Sequence, residues 1–431
     1  LENARPLLAV AAIILVCWVL SEDRRRFPLM TVLGALGVQA GLVAALFAFP
    51  QTQPAVAGVN AALDGLARAT QEGTQFVFNY LSGAPEGQPY VIPKQPDGAP
   101  GNPPFIFAFQ VLPLILVISA LSAILWHWGI LKLIIRGFGL LFERTMGLGG
   151  ASATAVAANI FMGMVESPIV IKAYLDKLSR AEIFLMMVVG LATVAGSTMV
   201  AYAGMLAASL PNAGAHVLTA SIISAPAGIL LARVMVPEQK GAHASGVDYS
   251  ASLKYESTMD AITKGVEDGI MVAVKIAGTL IVFVALVALV NIILSGFPPV
   301  LGAPLTLERI FGWGFAPLAY GIGVPWSEAQ AAGNLLGVKL FLTEFVAFDQ
   351  LGKTPEGVLS DRSRMIMIYA LCGFANVGSV GIMVSGLTAL FPPERRKLLL
   401  DLAWKSLIPG FLATLMTAAV VASLPAAMFA T

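Results

Sequence analysis

Polar residues along this chain are gathered into short stretches, and long apolar runs lie between them. A hydrocarbon layer of about 30 Å takes roughly 20 apolar residues in an α-helix. Runs of that order lie at about 6–21, 29–49, 105–127, 182–209, 215–236, 268–295, 364–390 and 402–428, and predict eight transmembrane helices. Segments 148–174 and 329–352 are apolar but interrupted by Gly, Glu, Lys or Asp, and predict re-entrant hairpins. Residues 57–82 read as an amphipathic interfacial segment, 84–104 as a Pro/Gly-rich extramembrane loop and 237–252 as a polar loop.

The two interrupted segments resemble each other. Phe161-Met-Gly-Met-Val-Glu166-Ser-Pro and Phe341-Leu-Thr-Glu344-Phe-Val each place one Glu in an apolar run. Each is followed by a helix broken by small residues, at Ala192-Thr193-Val194-Ala195-Gly196-Ser197-Thr198 and at Cys372-Gly373-Phe374-Ala375-Asn376-Val377-Gly378-Ser379. The span order puts the first hairpin's entry on the cytoplasmic face and the second's on the outer face. The fold expected is therefore an all-α polytopic membrane protein: eight transmembrane helices plus two re-entrant hairpins, in an inverted repeat with broken helices. Such paired, oppositely oriented, interrupted helices point to a transporter site near the bilayer midplane. Packing of small residues between helices is the plainer alternative for either segment alone.

Composition agrees with a membrane protein. Of 431 residues, 12% are charged, about half the usual share of a soluble domain, and the mean hydropathy is +0.82. The 42 glycines and 26 prolines are compatible with membrane helices, which tolerate both. A net charge of +1 gives no sign of nucleic-acid binding. Cys17 and Cys372 are far apart and the three histidines are scattered, so no metal-site spacing occurs.

The first run reads as a retained span rather than a cleaved signal, because its basic cluster, Arg24-Arg25-Arg26, follows it. The chain starts at Leu1 rather than Met, and a few preceding residues are expected. If this span runs from outside to inside, most of the 26 Lys and Arg residues fall on cytoplasmic segments and both termini face the periplasm or exterior.

An ionised carboxylate inside a bilayer costs several kcal/mol unless water, ligand or a partner meets it, which singles out Glu166 and Glu344. A structural ion pair with Lys172 or Lys339 is the alternative. Asn376 and Ser379 lie on a helix broken by Gly373 and Gly378, and with a Glu they suit the vicinal hydroxyls of a sugar. Asn159 and Thr193 carry oxygens suited to a hard cation, or to helix capping. The chain has no His-Glu-x-x-His helix, Gly-x-Ser-x-Gly elbow, Gly-Lys-Ser phosphate loop or dinucleotide fingerprint, so it reads as neither an enzyme nor an ATP-driven pump. A receptor of the same fold and a passive channel are the rival classes.

Three stretches carry a resemblance to the concentrative nucleoside transporter family. They are Asn159 to Pro168; Gly323-Val-Pro-Trp-Ser-Glu-Ala running on to Thr343-Glu344-Phe345-Val346-Ala347-Phe348; and Ala370 to Asn376 with Ser379. The resemblance runs in order from about residue 105 to the C-terminus. It implies a homotrimer in a bacterial inner membrane, embedded in lipid, whose protomers import nucleosides by alternating access of a hairpin and broken-helix unit against a scaffold. By the same resemblance Glu344, Asn376 and Ser379 bind the ribose hydroxyls with Phe374 nearby. Gly163, Met164, Val165, Glu166 and Thr198 face the base. Sodium sits on the Asn159 and Thr193 side chains and the carbonyls of Met162 and Val194. Sodium is the expected coupling ion, the proton its alternative, and no other cofactor is implied.

The segments then divide as follows. Residues 1–104 hold the N-terminal spans and an interfacial segment, and 105–147 a scaffold helix and an interfacial helix. The first hairpin, its broken helix and the following span occupy 148–236. A cytoplasmic loop, a scaffold helix and an external segment fill 237–328. The second hairpin, its broken helix and the C-terminal span make up 329–431.

Two departures from the family pattern stand out. Uridine-binding members usually show Gly-Gln-Thr-Glu where this chain has Gly163-Met164-Val165-Glu166, so two hydrogen-bonding side chains are replaced by apolar ones. Gly-Met resembles purine-preferring members, where Met packs on a larger ring. The family's usual Asn before the second hairpin Glu is Thr343 here.

Overall fold

The computed structural model describes residues 4–47, 53–83, 106–206, 210, 213–238, 253–300 and 302–424. Its N-terminal third contains α1 (Ala4–Val19), α2 (Leu29–Phe47), α3 (Gln53–Phe78), the short α4 (Phe107–Gln110), α5 (Leu112–His127) and α6 (Ile130–Met146). The first hairpin is α7 (Gly150–Met162) and α8 (Ser167–Val170), followed by a 3-10 segment over Lys172–Lys177. Next come α9 (Arg180–Ala192), α10 (Gly196–Leu206), α11 (Ala213–Met235), α12 (Thr258–Leu294) and α13 (Leu307–Gly321). The second hairpin is α14 (Trp326–Phe341) and α15 (Glu344–Lys353), and the chain continues with α16 (Asp361–Leu371), α17 (Val377–Leu390) and α18 (Arg396–Ala422).

Within the described residues, every expected span falls on a helix or on the two halves of a broken one, and both expected hairpin segments form two helices joined by a tight turn. Among the described residues, five helical stretches are long and apolar enough to cross a membrane, including Arg180–Leu206 taken across its break. The expected Pro/Gly-rich loop 84–104 and all but the edge of the polar loop 237–252 lie outside the described residues.

Three boundaries differ from the sequence expectation. α12 begins ten residues before 268, capped by Ser257, whose hydroxyl accepts from the Asp260 amide at 3.1 Å. Its 37 residues reach about 55 Å at 1.5 Å per residue, so its polar first turns extend past a hydrocarbon layer of about 30 Å. Residues 307–321, expected as part of an external segment, form α13 despite Pro317, capped by Thr306 and packed along α14. The second arm of the first hairpin is a single helical turn and a 3-10 stretch, because Pro168 and the polar Lys172–Lys177 stretch cut the apolar run short.

Small residues let the outer helices approach closely. α12 buries Ala261, Gly265, Gly269 and Ala273, one residue per turn, against α5. A Cβ at Gly265 would lie 2.6 Å from the Ala120 Cα, and one at Gly269 2.8 Å from the Leu116 Cα. The opposite face of α12 exposes Ile281, Val282, Leu289, Ile292 and Ile293, an apolar surface suited to lipid or to another protein. At the centre, α9 is buried from Ala181 to Ala192, and α11 and α18 pack against it.

Candidate functional site

The two broken helices cross at their breaks. α9 ends at Ala192 and α16 at Leu371, and each chain runs extended before its second half starts at Gly196 or Val377. The Phe374 amide donates to the Thr193 carbonyl at 3.2 Å, joining one break to the other. Gly373 makes this approach feasible: a Cβ there would meet the Ala192 carbonyl oxygen at 2.9 Å and that of Leu191 at 3.1 Å.

Each hairpin tip docks on the helix half of the opposite repeat. In the first, Gly163 turns the chain with φ +87°, and a side chain there would run into Ala195. Val165 then packs over Gly386 of α17. In the second, α15 lies against α10. Tyr202 of α10 stacks on Phe348 at 4.5 Å and meets Phe345 edge-on at 4.8 Å. Thr343 caps α15 by accepting from the Val346 amide at 3.3 Å. Thr is a competent N-cap, so the departure from Asn preserves the turn that presents Glu344.

Glu344 is only 3% exposed, and its carboxylate holds the site together. Oε1 accepts from the Tyr202 hydroxyl at 2.8 Å and Oε2 from the Asn376 amide at 2.6 Å. Asn376 in turn caps α17, its Oδ1 accepting from the Ser379 amide at 2.7 Å. One polar chain thus runs from α10 through α15 to the head of α17. Neither of the sequence-level ion pairs forms: Lys172 is exposed, and Lys339 bonds to the Ala370 carbonyl and the Thr414 hydroxyl, both at 2.7 Å. Glu166 is half-buried at the first tip, near Asp268 of α12.

Of the expected cation ligands, Asn159 and Thr193 lie side by side. The Asn159 side chain donates to the Met186 carbonyl at 3.3 Å, and its Oδ1 accepts from the Ser167 hydroxyl at 2.5 Å. The Thr193 hydroxyl donates to the Val189 carbonyl at 2.8 Å and lies 3.4 Å from that of Asn159. The Val194 amide donates to the Ser221 hydroxyl, which donates back to the Val194 carbonyl, both at 3.3 Å. These are neutral oxygens at the C-terminal end of a half-helix, the donor set a hard monovalent cation takes in an interrupted membrane helix. Thr198 and Phe374 sit beside the breaks, the Thr198 hydroxyl donating to the Ala195 carbonyl at 2.9 Å. Met162 and Met164 are buried, the Met164 Cβ against Gly190.

Sequence reasoning passed over Tyr202, Ser167 and Ser221. Tyr202 follows Thr198 by four residues, the spacing that puts both on one helix face. Ser167 stands directly after Glu166 in the hairpin motif. Ser221 carried no signal, as it is one small polar residue among several in α11.

Known proteins resemble this chain along nearly its whole length. Residues 8–81 match the family described as Na+ dependent nucleoside transporter N-terminus, 108–209 that described as nucleoside recognition (Gate), and 216–422 the Na+ dependent nucleoside transporter C-terminus. Nucleoside permease NupC of Helicobacter pylori is 33% identical over 418 residues, with 96% of each chain covered. The chain belongs to the concentrative nucleoside transporter family. Mouse solute carrier family 28 member 3 is 35% identical over 334 residues, covering 73% of this chain and 46% of that protein. Among solved concentrative nucleoside transporters, CNTnw in an inward-facing substrate-bound state superposes with a TM-score of 0.87 at 34% identity, covering 98% of both chains. An outward-facing CNTnw variant gives 0.88. The family comprises transporters rather than enzymes, and this member is a multi-pass, all-helical membrane protein.

Proposed function

We propose that this protein imports nucleosides across a bacterial inner membrane by symport with sodium. The observation that carries the reading is the Glu344 carboxylate, held between Tyr202 and Asn376 where the two broken helices meet. A buried carboxylate beside an amide and a hydroxyl can accept from and donate to the vicinal hydroxyls of a ribose, exchanging internal bonds for bonds to substrate. Ser379 and Phe374 complete the sugar end, and Gly163, Met164, Val165, Glu166 and Thr198 form the wall for the base. Met164 and Val165 supply no hydrogen bonds through their side chains, which favours purines.

Sodium would be held by Asn159 and Thr193 with the carbonyls of Met162 and Val194. Binding there ties α7 to the break that carries Ala195, against which the Gly163 turn rests. The ion thereby fixes the base wall, and ion and nucleoside strengthen each other's binding reciprocally. The hairpins and broken helices would move together against a scaffold that includes α5 and α12, within a homotrimer whose termini face the periplasm. Relatives captured inward-facing and outward-facing support such an exchange.

The test is uptake of labelled adenosine and uridine into proteoliposomes, with sodium and proton gradients imposed separately. Accumulation on a sodium gradient alone supports the reading; accumulation on a proton gradient alone replaces the ion. Absence of gradient-driven uptake by folded protein would overturn it.

A further inference from the structure

Lys339 is the one fully buried lysine among the described residues, with 0% of its surface exposed, and no carboxylate pairs with it there. An ammonium is costly to bury without a compensating charge. Its surroundings supply oriented dipoles instead. Nζ donates to the Ala370 carbonyl in the last turn of α16 and to the Thr414 hydroxyl, and lies 5.5 Å from the centre of the Phe411 ring. The carbonyl end of a helix carries a partial negative charge, so the C-terminus of α16 faces the lysine with counter-charge, and the Glu344 carboxyl lies near enough to add to it.

This environment repeats that of Asn159 in the first half of the protein. Asn159 lies three residues before the end of α7 and Lys339 two before the end of α14, each in the last turn of the first hairpin helix. Asn159 reaches a carbonyl of α9, and Lys339 one of α16, in each case the half-helix that precedes the break. The Thr193 hydroxyl stands beside the first break, and Thr414 beside the second, next to Gly373. One repeat offers only neutral oxygens at this position; the other fills it with the amine of a lysine.

We propose that Lys339 is the resident cation of the second repeat, occupying by covalent attachment the place the first repeat leaves for the exchangeable coupling ion. The proposal rests on the sodium reading above. It makes Lys339 a positioning residue: its charge holds the C-terminus of α16, and hence the turn that delivers Asn376 to Glu344. It also closes the second repeat to a mobile ion.

Nucleoside affinity is measured by calorimetry on purified full-length protein at graded sodium, for the unsubstituted chain and for Lys339→Gln, Lys339→Ala and Lys339→Arg, with melting temperature as the check on folding. Lys339→Gln keeps a hydrogen-bond donor without charge and is expected to weaken binding roughly tenfold at low sodium. Lys339→Ala is expected to do the same, to show a steeper sodium dependence than the unsubstituted chain, and to recover at high sodium or with added ethylammonium. A Lys339→Gln protein with unchanged affinity and sodium slope would overturn the proposal, because hydrogen bonding alone would then suffice. So would a folded Lys339→Ala protein that stays weak at every sodium and ethylammonium concentration. If Lys339→Ala does not fold, the comparison of the Gln and Arg variants decides: Arg binding nucleoside better than Gln supports a fixed charge, and equal affinities refute it. Lack of any sodium response in the unsubstituted chain would defeat the symport reading alone, since the charge comparison can be made without sodium.

Discussion

Asn376 links two jobs through one side chain: its amide donates to Glu344 at 2.6 Å while its carbonyl oxygen accepts from the Ser379 amide at 2.7 Å. The start of α17 and the orientation of the carboxylate are therefore fixed by the same group. Asn376→Ala should abolish nucleoside uptake and also lower stability by about 1 kcal/mol through loss of the cap. Asn376→Ser should recover most of the stability and little of the uptake. Thermal melts alongside uptake separate the two effects, and normal uptake by either variant would remove Asn376 from the site.

Glu344→Gln should preserve assembly and eliminate uptake, because Gln keeps one acceptor oxygen and puts an NH2 donor where the second carboxylate oxygen accepted from Tyr202 or Asn376. Uptake at the unsubstituted rate would sink the assignment.

Tyr202→Phe tests the polar tip without disturbing the ring that stacks on Phe348. A hydrogen bond to a charged group is worth about 1.5–3 kcal/mol, which corresponds to a rise in nucleoside KM of roughly tenfold or more. Melting temperature should move little. Unchanged KM would show that Asn376 alone orients the carboxylate.

Asn159→Ala combined with Thr193→Ala should shift the sodium dependence of uptake to higher concentration, with Ser167→Ala acting in the same direction but less, since the Ser167 hydroxyl reaches the proposed ion site through Asn159. An unaltered sodium response in the double variant would reject this site.

At the junction of the α1–α2 loop with α9 and α18, Glu22 accepts from Arg180 and from Lys405, both at 2.8 Å. The Arg180 hydrogen bond, with some help from Lys405, holds the Glu22 carboxyl below the usual carboxylate range. A carboxylate with a depressed value stabilises the folded state above its unfolded pKa, and that contribution is lost as pH falls through the folded value. Glu22→Gln should therefore lower the melting temperature at neutral pH and make little difference once the medium is acidic enough to protonate Glu22. A destabilisation independent of pH would show that packing, not charge, is what Glu22 contributes.

Much of the site was legible because charge is rare in this chain. Glu166 and Glu344 stand out in apolar runs, and the glycines and small residues after each mark the breaks. Asn376 and Ser379 could be paired with Glu344 because all lie near the second hairpin and its break. Tyr202 was not legible, since an aromatic residue in an apolar helix resembles core until its hydroxyl is seen against Glu344. Nor was the part of Lys339, whose partners are a backbone carbonyl and the distant Thr414. α13 was obscured by Gly312, Gly314 and Pro317, which dilute its apolar pattern, although packing on α14 stabilises it.

The single backbone bond from Phe374 to Thr193, with Gly373 pressed against the end of α9, works as a rivet between the two halves of the protein. Levers joined at a rivet share its displacement, so on the transport reading proposed above the two broken helices would carry their halves of the site together. What crosses the membrane plane would then be one stiff cassette holding ion and nucleoside together, and the slack needed for motion would lie at its rim, where it slides past its frame.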